Sequence, residues 1–248
     1  MITAIIQARV SSTRLPNKVF SEICGKPLIW HISERLKWSK KIQKIVLATT
    51  INPADDSLER WARSNDIEVF RGSENDVLSR YYHAALSSKA TTIIRITADD
   101  PFKDPEIIDK VVDVYFDNDL DFAYNNHPPT FPEGLDTEVF SLHALEKAEN
   151  ESQDPFEREH VTQYFYKRPE IFKQMNVPYT ENISFLRWTI DTKKDLEMAK
   201  EVYKYLHKEN QIFLMNDILN LLAEKPYIKK INMEVKRSDM YIKNEKIS

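Results

Sequence analysis

The first stretch with the means to do chemistry runs Gln7-Ala8-Arg9-Val10-Ser11-Ser12-Thr13-Arg14-Leu15-Pro16-Asn17-Lys18. Arg9, Arg14 and Lys18 put three cations close together, beside the hydroxyls of Ser11, Ser12 and Thr13. With the loop N–H groups they supply the donors that a nucleoside triphosphate needs. Cations alone would read better as a solvated basic loop. The loop, however, directly follows a short apolar run, residues 2–8, that reads as a buried strand. In open α/β sheets ligands bind beyond the carboxyl ends of strands, which favours a ligand here. No G-x-x-x-x-G-K-[ST] occurs, so this is not a Walker A loop.

Two carboxylates complete the pattern. Asp99 ends an isoleucine-rich run and is followed by Asp100-Pro101. Asp191 ends a second apolar run, residues 185–190. Carboxylates at strand ends facing a phosphate loop suit Mg²⁺, which takes one or two of them plus phosphate oxygens and waters. Either could instead belong to a helix N-cap, with Asp100 and Asp104 before one helix and Asp191 and Thr192 before another. Arg71-Gly72-Ser73 follows another strand, and glycine there lets backbone groups approach a flat base edge. Asp76 and Arg80 are candidate supports for that base. The alternative is that Asn75 or Asp76 caps the next helix and Arg80 pairs with an acid. Further on, Asp136 and Glu138 alternate along an expected strand and so face one side. Arg158, Glu159 and His160 open an expected helix beside them. His160 has the reference pKa of a general base, ~6.5, against an ordinary structural role.

The elements that must position these residues follow from periodicity. Strands are expected at 2–8, 44–50, 67–70 and 91–97, alternating with helices at 27–38, 55–64, 75–86 and 104–116. That alternation reads as βαβ units and a mostly parallel sheet. After Asp119 it changes to strands at 122–125 and 137–140 around a Pro-rich loop. Helices at 144–150 and 157–167, a strand at 183–190, and helices at 193–207 and 215–222 complete the expectation. The chain reads as a single domain over 1–235, with an α/β core at 1–118 and 183–225. A smaller α+β portion at 119–182 and a polar tail at 236–248 complete it. Trp30, Trp61 and Trp188 are expected in the core, and the cations between Lys225 and Lys236 on a solvated face.

Composition narrows the classes. At 248 residues, 42% hydrophobic and 30% charged, the chain is an ordinary globular one, not a disordered one. A net charge of −4 argues against nucleic acid as the partner. One cysteine, Cys24, excludes an internal disulfide and suggests the cytoplasm. No apolar run approaches the ~18 residues of a membrane span, and the first is too short for a signal peptide. Three glycines, Gly25, Gly72 and Gly134, are few, so each is expected where a side chain is intolerable.

The blocks around these residues resemble a known family. The loop 7–18 is followed by Gly25-Lys26-Pro27-Leu28. Then come Phe70-Arg71-Gly72-Ser73-Glu74-Asn75-Asp76-Val77-Leu78-Ser79-Arg80-Tyr81 and Arg95-Ile96-Thr97-Ala98-Asp99-Asp100-Pro101. Gly134-Leu135-Asp136-Thr137-Glu138-Val139-Phe140, Arg158-Glu159-His160-Val161-Thr162 and Arg187-Trp188-Thr189-Ile190-Asp191 complete the series. In order and spacing they resemble the sugar cytidylyltransferases, which include the CMP-Kdo and CMP-sialic acid synthetases, and within them the SpsF-like branch. The resemblance spans residues 2–205 and takes in all three glycines. Where related pyrophosphorylases carry a glycine-rich loop, Ser11, Ser12 and Thr13 stand here, as in the cytidylyltransferase branch.

The resemblance implies a GT-A-like, Rossmann-related nucleotidyltransferase fold. It implies transfer of CMP from CTP to a sugar-acid or phosphorylated acceptor, with Mg²⁺ required and pyrophosphate released, in surface-polysaccharide or glycoconjugate precursor synthesis. It assigns Arg9 and Lys18 to the triphosphate, to which Arg14 is added on charge. Ala8, the loop hydroxyls, Arg71, Gly72, Ser73, Asp76, Arg80 and Asp99 fall to the nucleotide, and Asp99 and Asp191 to the metal. The acceptor pocket is lined by Asn125, Gly134, Asp136, Glu138, Arg158, Glu159, His160 and Arg187. Acids there would bind sugar hydroxyls or an amine, and Arg158 or Arg187 a carboxylate or phosphate. Relatives are commonly homodimers, with the contact expected within 120–170. Three rivals stay open: use of another nucleoside triphosphate, a GT-A glycosyltransferase, and a non-catalytic nucleotide-binding protein. The second would need an Asp-x-Asp, which Asp119-Leu120-Asp121 matches only in an acidic run after a helix. The third predicts a lost loop cation or carboxylate, and none is lost.

Overall fold

In this computed structural model, which describes residues 1–12 and 14–236, the first strand sets the plan. Chain order begins with β1 (Ile2–Gln7), a hairpin of β2 (Glu22–Ile23) and β3 (Lys26–Pro27), and α1 (Leu28–Leu36). Next come β4 (Lys44–Thr50), α2 (Asp56–Ser64), β5 (Glu68–Gly72), α3 (Val77–Ser87), β6 (Thr92–Thr97) and α4 (Pro105–Asp117). The remainder is β7 (Phe122–Tyr124), β8 (Glu138–Ser141), α5 (Leu142–Glu151), α6 (Pro155–His160), α7 (Gln163–Tyr166), β9 (Gln174–Asn176), α8 (Lys193–Leu206), α9 (Met215–Glu224) and α10 (Tyr227–Lys230).

The main sheet has the order β5-β4-β1-β6-β8-β7-β9. β5, β4, β1 and β6 run parallel, and β8 is antiparallel to both β6 and β7. The expected mostly parallel α/β sheet is therefore present, and residues 119–182 continue it. β1 reads as an unbroken apolar run because both of its faces are buried. Ala4 and Ile6 enter one core with α1, α2, α4, α8 and α9, while Ile5 enters the other with α3, α5 and α7. From β1 the chain builds outward to β4 and β5, then returns to β6 on β1's other side. The loops after β1 and β6 therefore meet where the strand order reverses, the usual place for a ligand crevice. Gln7 pairs with Thr97, so both strands end at one level.

Several expectations are corrected. Residues 183–190 do not form a strand. A turn comes first, with Leu186 N donating to Ile183 O at 3.1 Å, and a single bridge, Glu133 to Arg187, follows; β8 already occupies the edge of β6. Trp188 and Ile190 are buried while Phe185 is 76% exposed. The expected helix at 157–167 is two short helices broken at Val161, whose φ is +53° and whose side chain is fully buried. Trp188 is core, but Trp30 and Trp61 are only half-buried. The hairpin and β9 had no clear sequence signal. The tail beyond Lys236 and Thr13 lie outside the described residues.

Two glycines are fixed by backbone geometry. Cys24 and Gly25 have φ of +47° and +75° in the two-residue turn between β2 and β3, as a type I′ hairpin requires. Gly134 has φ +106°, and a Cβ there would lie 2.9 Å from Thr189 N and 3.0 Å from Trp188 C. It lets the 133–135 and 187–189 segments touch. Gly25→Ala should cost about 1 kcal/mol, the left-handed penalty alone. Gly134→Ala should cost several-fold more, because backbone must also move. Urea unfolding of the two variants checks this; equal losses would contradict it.

Candidate active site

The loop after β1 is closed on itself. Asn17 N donates to Val10 O at 3.3 Å with Asn17 in the left-handed region, and Leu15 and Val19 sink into the core. Asp55 accepts from Val10 N at 2.7 Å and also from the Thr50 hydroxyl. Ala8 is buried and donates to Ala48 O at 3.2 Å. The loop so fixed carries Arg9 and Arg14 half-exposed and Lys18 largely buried.

Lys18 is the centre of the site. Its Nζ lies 2.9 Å from Asp99 Oδ2, 3.0 Å from Asp191 Oδ1 and 3.1 Å from Ile190 O. Arg14 Nη2 reaches the same Asp191 Oδ1 at 2.9 Å. Burial alone would lower the Lys18 pKa, but the two carboxylates outweigh it and hold it above its ordinary value. Burial would raise Asp99, and Lys18 outweighs that and holds it low. On the other flank Arg9 faces Glu74 at 3.5 Å, and Ser11 Oγ donates to Glu74 at 3.1 Å. Ser12 is half-buried beside them.

Asp191 reaches Asp99 by a route other than a strand. Ile190 N donates to the Asp99 carbonyl at 2.8 Å, which lays the 187–191 segment across the end of β6. Neither aspartate is a helix cap. Asp104 caps α4, and Thr192 with Asp195 forms a capping box on α8. Asp99 and Asp191 are thereby left to face one cation. Among the described residues no group of three or more His, Cys, Asp or Glu side chains is placed to hold a metal ion by itself.

The candidate base segment is supported from beneath. Arg80, 2% exposed, donates to Ser73 O at 2.5 Å. A Cβ on Gly72 would lie 2.9 Å from the Phe70 ring and 3.1 Å from Arg80 Cγ, so the glycine makes room for Arg80. Asp76 caps α3 through Ser79 N at 3.0 Å. Arg71 turns away, to Asp56 at 2.7 Å and Glu59 at 2.8 Å on α2.

The candidate acceptor side is mostly tied to its own fold. Asn125 is buried and holds Leu135 O and Thr137 N. Asp136 precedes β8 rather than lying on it. Glu138 is buried against Arg95 at 2.6 Å, Thr162 at 2.9 Å and Tyr166 at 2.9 Å. Arg158, Glu159 and His160 close α6 instead of opening a helix. Arg158 pairs with Asp76 and Glu149, Glu159 is exposed, and His160 packs edge-on against Phe156. Arg187 is buried between Glu133 at 2.7 Å, Asp191 at 2.8 Å and Asp195 at 3.0 Å, which leaves it no edge for an acceptor. Burial pushes the Asp136 carboxyl up to about 7.

Sequence reasoning passed over Lys103 and Glu74. Lys103 is buried, pairs with Asp100 at 2.9 Å and donates to the Asp136 carbonyl, so it joins the Asp99 strand end to the acceptor side. Its place four residues after Asp99 was the available signal.

The chain matches the family model described as cytidylyltransferase over residues 3–245. It is 32% identical over 232 residues to the spore coat polysaccharide biosynthesis protein SpsF of Bacillus subtilis, covering 91% of this chain and 95% of that protein. A 3-deoxy-manno-octulosonate cytidylyltransferase of Geobacter sulfurreducens is 31% identical over 113 residues, 45% of this chain and 44% of its own length. A solved cytidylyltransferase structure from Leptospira borgpetersenii superposes with a TM-score of 0.88 at 34% identity, over 96% of this chain and 98% of that one.

The Asp136 carboxyl, raised to about 7 when folded, binds a proton more tightly in the folded chain than in the unfolded one. Its contribution to stability is whole below the unfolded pKa of ~3.9 and is lost as pH rises through about 7. Urea midpoints of wild type should therefore fall from pH 4 to pH 7 relative to Asp136→Asn. Parallel curves would contradict the buried-acid assignment.

Proposed function

The chain belongs to the cytidylyltransferase family, and on that premise we propose that it transfers CMP from CTP to a sugar-acid acceptor, releasing pyrophosphate, in the synthesis of surface-polysaccharide precursors. The observation that carries the reading is the Lys18 ammonium held between Asp99 and Asp191 at the reversal of strand order. It sets Lys18 and Arg14 against a pair of carboxylates.

The residues fit Mg²⁺. Asp99 and Asp191 present hard oxygen donors to one cation position, and the Lys18 ammonium stands where a cation is held. When bound, Mg²⁺ would supply charge neutralisation on the triphosphate. Arg9, Arg14 and Lys18 grip the triphosphate and stabilise charge as it passes to pyrophosphate. The Gly72–Ser73 backbone, braced by Arg80, meets the cytosine edge. The acceptor hydroxyl oxygen attacks the α-phosphorus, that phosphorus bonds to it, and the bond to the β-phosphate bridging oxygen breaks. Asp136, near neutrality in pKa and tied through Lys103 to the Asp99 strand end, is suited to take the hydroxyl proton. Cytoplasmic action and a homodimeric state belong to the same proposal by family analogy alone.

Pyrophosphate release is the test. Wild type should release it with CTP, Mg²⁺ and a 2-keto sugar acid, and not with UTP, GTP or ATP in place of CTP. Asp99→Asn and Lys18→Met should each lower kcat/KM by ~10²–10³, the scale of losing one charge-stabilising group. Equal turnover of another triphosphate would overturn the cytidine assignment, and undiminished activity in both variants would overturn the site.

A further inference from the structure

Asp191 is held from behind as well as from the loop. Its Oδ2 accepts from Arg187 Nη2 at 2.8 Å, opposite the oxygen that faces Lys18 and Arg14. Arg187 also donates through Nε to Asp195 Oδ1 at 3.0 Å, through Nη1 to Glu133 Oε1 at 2.7 Å and, at the longer distance of 3.4 Å, through the same Nη2 to Asp195 Oδ2. Asp195, fully buried, accepts from Asp191 N at 3.1 Å and Thr192 N at 2.8 Å. One guanidinium thus serves three carboxylates, and nothing in those pairs by itself decides how it is shared.

The deciding donor comes from the C-terminal segment. Asn232, beyond α10 and 3% exposed, places its Nδ2 3.0 Å from the Arg187 carbonyl and 2.9 Å from Asp195 Oδ1. A single amide therefore anchors the Arg187 backbone and one oxygen of the acid that orients its side chain. With Asn232 in place, the Asp195 Oδ1 oxygen is partly satisfied and Arg187 Nη2 lies closer to Asp191, at 2.8 Å, than to Asp195, at 3.4 Å. Without it, Asp195 draws the guanidinium and Asp191 loses its rear donor.

We propose that Asn232 is a positioning residue that sets the Asp191 carboxylate through Asp195 and Arg187, and so sets divalent-cation affinity at the site. The inference rests on the reading of Asp191 as a cation-holding carboxylate. Partners behind a metal-holding group typically change metal affinity ~10–100-fold when removed. Asp195 is a poor probe because it also caps α8. Asn232 caps no helix, and its neighbour Met233 is 70% exposed.

The experiment titrates Mn²⁺ into the full chain at fixed CTP with no acceptor, reading the loss of the free-ion electron paramagnetic resonance signal. CTP affinity in EDTA and the melting temperature are measured in parallel. Asn232→Asp, of equal size but with the donor replaced by an acceptor, should weaken Mn²⁺ binding by ~10–100-fold. Asn232→Leu should weaken it less, because it sets no charge against Asp195. CTP affinity in EDTA should stay at the wild-type value in both, and Met233→Ala should match wild type throughout. Wild-type Mn²⁺ affinity in both Asn232 variants, with a loss in Asp191→Asn, would overturn the inference. So would a parallel fall of Mn²⁺ affinity, metal-free CTP affinity and melting temperature, which marks a merely structural role. Wild-type Mn²⁺ affinity in Asp191→Asn would instead sink the underlying reading of that carboxylate.

Discussion

Two carboxylates brought together beyond the carboxyl end of a central strand repel each other unless a cation lies between them, and the Lys18 ammonium meets that need for Asp99 and Asp191. The pairing joins three parts of the chain that are far apart in sequence: the loop after β1, the end of β6, and the segment before α8. Any ligand that takes the loop cations must supply a replacement charge for the carboxylates. A triphosphate arriving with a divalent cation does both at once.

The fold delivers this arrangement through backbone more than through side chains. Buried β1 and β6 end level with each other, so their loops share one rim. The Asp99 carbonyl then receives Ile190 N, and Gly134 lets the 133–135 segment lie against Trp188 and Thr189. Caps on α4 and α8 are taken by Asp104 and Thr192, which leaves the neighbouring aspartates unspent.

Much of this was legible in the sequence. Apolar runs that stop at a cationic loop or an aspartate mark strand ends, so β1, β6 and the places of Lys18 and Asp99 beyond them are legible directly. Asp191 is expected at a strand end but meets Lys18 from a segment that is not a strand. A segment that buries Trp188 and Ile190 just after a turn has the same apolar alternation as a strand, and β8 rather than this segment takes the edge of β6. The other cations show the limit more sharply. Arg71, Arg158 and Arg187 look available for ligands in sequence, yet each is matched by acids of its own fold. Arg158 meets Asp76 across 82 positions, and Asn232 meets Arg187 across 45, distances over which no local pattern carries information.

The central claim is that Asp99, Asp191 and the loop cations form one charge-coupled site for a triphosphate and a divalent cation. Calorimetric titration of CTP into wild type and Asp99→Asn, each with Mg²⁺ and with EDTA, tests it most directly. The account predicts that Mg²⁺ tightens CTP binding to wild type by tenfold or more, ~1.4 kcal/mol, and that Asp99→Asn loses most of this gain. Equal gains from Mg²⁺ in both proteins would contradict it.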